Sequence, residues 1–139
     1  MNNRRKLIVA LGASALAAPF RIRAQQVKQS VVVGFLGTQD QLSAQTVVAA
    51  FKQGLQELGY VEGKNLTLHL RFADGKFERV PGLAAELVNL KADVILSGGT
   101  VTTSALQKAT GTIPIVMANT LDPVGNGLVK TLARPGGNI

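Results

Sequence analysis

Hydrophobic positions along this chain follow two rhythms that alternate from one end to the other. Ser30-Val31-Val32-Val33-Gly34-Phe35-Leu36 is an unbroken apolar run, the pattern of a strand buried on both faces. Over residues 43–58, Val47, Ala50, Phe51, Gly54, Leu55 and Leu58 recur every three or four positions, which predicts a helix that Gly59 ends. After a turn at 60–64, Leu66, Leu68 and Leu70 alternate with Thr67, His69 and Arg71, so this strand is half exposed and lies at a sheet edge. Asp74-Gly75-Lys76 is a turn. Residues 77–90 carry the stripe Val80, Leu83, Ala84, Leu87 and Leu90, with Pro81 in the first turn, where its missing N–H costs little. A strand at 93–96, a helix at 101–109 and a strand at 113–118 with Pro114 at its entrance follow. The spacing continues as a helix over 124–133 in spite of Gly125 and Gly127, and Asn138-Ile139 reads as the opening of a fifth strand.

Strand and helix thus alternate four times, which predicts an α/β doubly wound parallel sheet built from right-handed crossovers. The 139 residues, 46% hydrophobic and only 4% aromatic, fit one domain with an aliphatic core.

The formal charge of +7 points toward nucleic acid or an anionic membrane only if it belongs to the folded part. Arg4, Arg5, Lys6, Arg21 and Arg23 all precede Gln25 with no acid among them, and taking these five away from +7 leaves +2. The basic signal therefore belongs to targeting, and no nucleic-acid partner is expected. Residues 1–24 have a basic start, the apolar run from Leu7 to Ala18 and a polar end at Ile22-Arg23-Ala24. These are the three parts of a cleavable export signal, and the run is well short of the roughly 20 residues that span a bilayer. Cleavage after Ala24 leaves a domain at 25–139 in the periplasm. Arg4-Arg5 keeps both the general secretory and the twin-arginine routes open. The absence of cysteine excludes a disulfide framework, a thiolate metal site and a lipid-modified N-terminal cysteine.

In an open parallel sheet, ligands bind beyond the carboxyl ends of the strands, near the point where the strand order reverses. Three segments qualify here: residues 37–40, 97–102 and 119–123. All are rich in small polar residues and none contains lysine or arginine. A phosphate cradle of the G-x-x-x-x-G-K-[ST] kind is missing, and Gly125-Asn126-Gly127 lacks the third glycine of a dinucleotide fingerprint, so no cofactor is expected. Ser97-Gly98-Gly99-Thr100 keeps two readings. It is either an ordinary strand-to-helix turn with Thr100 as N-cap, or a helix N-terminus that holds a carboxylate through free N–H groups, with Thr100 or Thr102 as side-chain donors. His69 is the single histidine and reads as a solvated edge residue, which excludes a His-rich metal site. Asp122 before Pro123 suits a ligand amine or a turn opening equally, and for Asp40 the turn reading leads. The serines lack the G-x-S-x-G elbow and a catalytic constellation, so the chain does not read as an enzyme.

The string from Phe51 to Leu66, F-x-x-G-L-x-E-L-G-Y-x-E-G-x-N-L, the helix Leu83-Ala84-Ala85-Glu86-Leu87-Val88, and Ile113-Pro114-Ile115-Val116 resemble the substrate-binding proteins of ABC transporters, of the tryptophan/tyrosine-binding type. Asp122-Pro123-Val124-Gly125 and Leu132-Ala133-Arg134-Pro135-Gly136-Gly137-Asn138-Ile139 strengthen the likeness, which covers nearly all of residues 25–139. The resemblance implies a flavodoxin-like, Rossmann-like first lobe of a two-lobed periplasmic binding protein, broken off before its fifth strand. Its implied partners are a small carboxylate-bearing ligand such as an amino acid and an ABC permease in the inner membrane. Carried over from the family, the ligand contacts are Thr38, Gln39, Gly99, Thr100, Thr120 and Asp122. A sensory module signalling to a membrane receptor is the alternative, and a nucleotide-using α/β enzyme a more distant one. A neighbouring permease gene would separate the first two, and phosphate-dependent nucleotide binding would favour the last.

Overall fold

The computed structural model describes residues 30–139, so the export signal expected at 1–24 lies outside the described residues. Strand β1 (Val31–Gly37) leads to helix α1 (Gln45–Glu57), β2 (Leu66–Phe72), a single 3-10 turn (Phe77–Arg79) and α2 (Val80–Asn89). Strand β3 (Val94–Ser97), α3 (Thr100–Ala109) and β4 (Ile115–Met117) complete the regular elements. All strand pairs are parallel, in the order β2-β1-β3-β4. The chain builds outward from β1 to β2, then crosses back to the other side of β1 for β3. The reversal lies between β1 and β3, and this is the doubly wound sheet that the alternating rhythm predicts.

The register assigns the faces. Pairing of Leu36 with Ser97 and of Ile95 with Ile115 puts Val32, Gly34, Leu36, Ile95, Ser97 and Ile115 on one side of the sheet. On that side Leu36, Ile95 and Ile115 pack with Val80, Ala84 and Leu87 of α2 and Leu106 of α3 into the main core. Gly34 is what lets α2 sit so close: a Cβ there would lie 3.2 Å from Leu87 Cδ2 and 3.2 Å from Ile95 Cγ1. The opposite face carries Val33 and Phe35, both buried, and Phe35 meets Phe72 of β2 with ring centroids 5.7 Å apart. Helix α1 lies on this second face, where Lys52 and Gln56 line a shallow pocket with Leu66 and Leu68. It contributes no buried residue, and Val47 and Leu58 of its predicted stripe are exposed.

Strand β2 occupies an edge, as its alternation requires, with Leu66 buried and Thr67 exposed. His69 is half-buried rather than fully solvated; it lies on the α2 side of the strand, near Glu86. Glu86 accepts a 2.7 Å bond from Arg71, and that bond is the main reason its carboxyl is held below the ordinary range.

Three expectations are corrected. Residues 124–133 form turns rather than a helix: Asn126 N donates to Asp122 O at 3.0 Å and Leu128 N to Pro123 O at 2.9 Å, but Gly127 takes φ +69°, which ends the winding. Leu128 and Val129 are nevertheless buried, and Gln107 Nε2 of α3 donates to Leu128 O at 3.1 Å. Helix α1 begins after Ser43, because Asp40 holds the preceding turn. Its carboxylate accepts Ser43 N at 2.9 Å and Ser43 Oγ at 2.7 Å, and these two bonds lower its pKa. Strand β4 is shorter than 113–118, since Pro114 offers only its carbonyl, to Ile95 N at 2.9 Å. Asn138 lies alongside β4, with its O accepting Ile115 N at 2.7 Å and its Nδ2 donating to Ile113 O at 2.7 Å. That is the position of a strand beyond β4.

Candidate ligand-binding site

Four loops leave the carboxyl end of the parallel sheet, one after each strand, and backbone hydrogen bonds tie them into one surface. The loop after β1 is fastened to the loop after β2: Gly37 O accepts Ala73 N at 3.0 Å, Thr38 O accepts Gly75 N at 2.8 Å and Gln39 O accepts Asp74 N at 3.3 Å. Thr38 and Gln39 are half-buried there, with Gln39 Oε1 close over Gly37. The turn after β3 is fastened to β1, because Gly98 N donates to Leu36 O at 2.9 Å.

The two glycines of that turn have different reasons to be glycine. A Cβ at Gly98 would stand 3.2 Å from Leu36 O and 3.4 Å from the Cα of Gly37, so any larger residue would push apart by a few tenths of an ångström the backbones on either side of the strand-order reversal. A Cβ at Gly99 would meet nothing within 4 Å, and the extended backbone there suits any residue. Packing explains Gly98 and does not explain Gly99.

Gly99 is the N-cap of α3, and no side chain caps the helix. This corrects the expectation of Thr100 as N-cap: Thr100 is the first helical residue, and its Oγ1 accepts Leu121 N at 3.3 Å. One hydroxyl thus joins the loop after β3 to the loop after β4. The N–H groups of the first turn have no partner further back along the helix and carry its partial positive charge, so the surface between Gly99, Thr38 and Thr120 favours an anion or a strong acceptor.

Beneath the turn lies a polar knot. Ser97, Thr102 and Thr103 are fully buried. Ser97 Oγ is 2.7 Å from Thr102 Oγ1 and 2.7 Å from Thr103 Oγ1, while Thr102 and Thr103 donate to Gly99 O at 2.9 and 2.8 Å. The same carbonyl accepts Thr103 N at 3.0 Å, the first bond of the helix. With its carbonyl drawn inward, the trans peptide joining Gly99 to Thr100 aims the Thr100 N–H the other way, toward the open end of the sheet. Thr102, expected as a ligand donor, therefore works below the surface. The signal for the knot was a serine ending a strand on its buried face followed by adjacent threonines in the next helix. Ser97→Ala is expected to lower stability by about 1 kcal/mol, since both threonines keep Gly99 O as acceptor. Urea unfolding followed by circular dichroism measures this, and an unchanged midpoint would mean that the Ser97 hydroxyl adds nothing.

The structure places the six sequence-derived positions unequally. Gly99 and Thr100 form the α3 terminus, Thr120 Oγ1 approaches Thr103 Oγ1 at 3.4 Å, and Thr38 and Gln39 follow the end of β1, the strand paired with β3. Asp122 is exposed in a turn of its own, where its Oδ1 accepts Gly125 N at 2.9 Å. Among the described residues no group of three or more His, Asp or Glu side chains is placed to hold a metal ion.

Residues 33–139 match the family described as ABC transporter substrate binding protein. A tyrosine-binding protein of Clostridioides difficile (strain R20291) is 36% identical over 89 residues, which are 64% of this chain and 26% of that protein. A crystal structure of a conserved domain protein from Vibrio cholerae superposes with a TM-score of 0.74 at 34% identity, covering 79% of this chain and 37% of the other. The structure of a Streptococcus pneumoniae ABC domain in complex with L-Trp gives a TM-score of 0.72 at 28% identity, with the same coverage of 79% and 37%. The chain therefore spans well under half the length of these relatives.

Proposed function

The chain belongs to the ABC transporter substrate-binding proteins, and from that premise we propose that its α3 N-terminus takes the carboxylate of an amino acid, with an aromatic one the first candidate. The ligand is then handed to a membrane permease from the periplasmic side. The observation that carries the reading is the uncapped α3 terminus at the strand-order reversal, where the segments 37–40, 97–102 and 119–123 contain no lysine or arginine. An α-carboxylate is a single anion that two or three N–H groups can hold, whereas a phosphate ester calls for more positive charge. Thr38, Gln39 and Thr120 supply hydroxyl and amide groups around it, and Asp122, whose Oδ1 accepts Gly125 N, offers its second oxygen to the ligand's ammonium. The relatives named as binding tyrosine and crystallised with L-Trp support this ligand class.

Titration of the isotopically labelled chain with L-tryptophan is expected to shift the amide resonances of Gly99, Thr100 and Val101. Tryptamine, which keeps the indole and the amine but has no carboxylate, is expected to leave them in place. Equal responses to the two compounds would rule out carboxylate capture at α3.

A further inference from the structure

We propose a second binding site, for an amphipathic monocarboxylate, in the groove between α2 and α3, which meets the strand-end site at Thr100 and Val101 and runs from there to Lys108. The groove has a volume of about 530 Å³, within the range of small-ligand pockets. Phe77, Val80 and Pro81 form one wall, and Val101, Ala105 and Lys108 run along the other. Phe77 and Val101 are exposed large apolar residues in a chain whose other α2 and α3 apolar groups mostly face the core.

The α3 wall sets both length and polarity. Val101, Ala105 and Lys108 lie on one stripe of the helix, and from Val101 to Lys108 the axis rises about 10 Å. A straight apolar chain of medium length fits along that distance. Lys108 stands at the far end in the last turn of α3, and among the described residues it takes part in none of the ion pairs, which join Lys52, Arg71 and Arg79 to acids. No Asp or Glu lines the groove; its remaining polar groups are the hydroxyls of Thr100 and Ser104. A zwitterionic amino acid would leave its ammonium unpaired here. A carboxylate with an apolar tail matches throughout, its tail on Phe77 and Val101 and its head on the Lys108 ammonium. This inference does not rest on the reading of the strand-end site, because the groove's anion partner is the Lys108 side chain in the last turn of α3 and not the N–H groups of its first turn.

Decanoate is the probe, titrated into the full chain while amide resonances are followed. The expected result is a saturable shift of Val101, Ala105 and Lys108 with a Kd of about 0.1–1 mM, the range for a ligand of this size at ordinary efficiency. L-Tryptophan at equal concentration is expected to leave Ala105 and Lys108 in place, and decyltrimethylammonium, with the same tail and the opposite charge, to bind at least five-fold more weakly. Lys108→Gln, at an exposed position, is expected to weaken decanoate at least five-fold, and Ser104→Leu, which fills the groove, to remove the shifts. Equal binding of the anionic and cationic probes, or full affinity in Lys108→Gln, would show mere apolar adsorption and overturn the proposal. So would saturable shifts confined to other elements. Loss of the tryptophan response at Gly99 alongside an intact decanoate response would count against the strand-end site alone.

Discussion

Leu87→Ala is expected to lower the unfolding free energy by about 2–5 kcal/mol, a large part of the 5–15 kcal/mol typical of a whole domain. Leu87 is fully buried, in the last turn of α2 on the face turned to the sheet. Its methyl groups lie where a Cβ on Gly34 would touch them, and Ile95 packs at the same spot from β3. Truncation there leaves a cavity walled by strands, which cannot close without moving β1. The same deletion on the other face is expected to behave differently. Leu55→Ala in α1 removes a half-buried side chain from a helix with no buried residue, and about 1 kcal/mol or less should be lost. Urea titrations of the two variants test the contrast. Equal losses would mean that α1 is as firmly seated as α2, and that the two faces of the sheet share the core evenly.

That asymmetry marks where sequence reading stops. The period of the apolar residues identified α1 as a helix, and it is one, but periodicity only says which residues share a side. It does not say how much of that side is covered. Val47 and Leu58 have helical spacing and remain exposed. The edge position of β2 was legible in the alternation of Leu66, Leu68 and Leu70 with Thr67, His69 and Arg71, although beyond Leu66 and Thr67 both faces of the strand are half-buried. Residues 124–133 have helical spacing, but Gly125 and Gly127 outweigh it. The geometry there depends on a contact between positions: a Cβ at Gly125 would lie 2.0 Å from Asp122 Oδ2.

The loops of the candidate site were readable as a group, since an α/β order fixes which loops share an end of the sheet. Their internal division of labour was not. Thr102 reads as a ligand donor from its spacing alone, but the pairing of Leu36 with Ser97 puts Ser97 on the helix side, and there it joins Thr102 and Thr103 in holding Gly99 O. Thr100 was placed one residue too early in its role, because capping depends on which carbonyl opens the helix. Gly99 does, and it has no side chain to offer.

The adjacent glycines then allow fold and binding to be separated by two substitutions one residue apart. Gly98→Ala is expected to destabilise the protein and to lose the ligand response with it, because its Cβ would press on Leu36 O at 3.2 Å and backbone cannot step aside cheaply. Gly99→Val is expected to fold, at a cost of about 1 kcal/mol for a poorer cap, since no atom lies within 4 Å of the new Cβ. An N-cap side chain lies beside the free N–H groups of the first turn, so the two methyl groups of valine would occupy the space that a carboxylate needs. Binding of L-tryptophan should fall at least ten-fold, a change of about 1.4 kcal/mol or more, while the unfolding midpoint stays near that of the parent chain. Calorimetry and urea unfolding on both variants give the answer. A Gly99→Val protein that binds normally would show that the ligand approaches elsewhere, and one that unfolds as readily as Gly98→Ala would show that Gly99, too, is there for the fold.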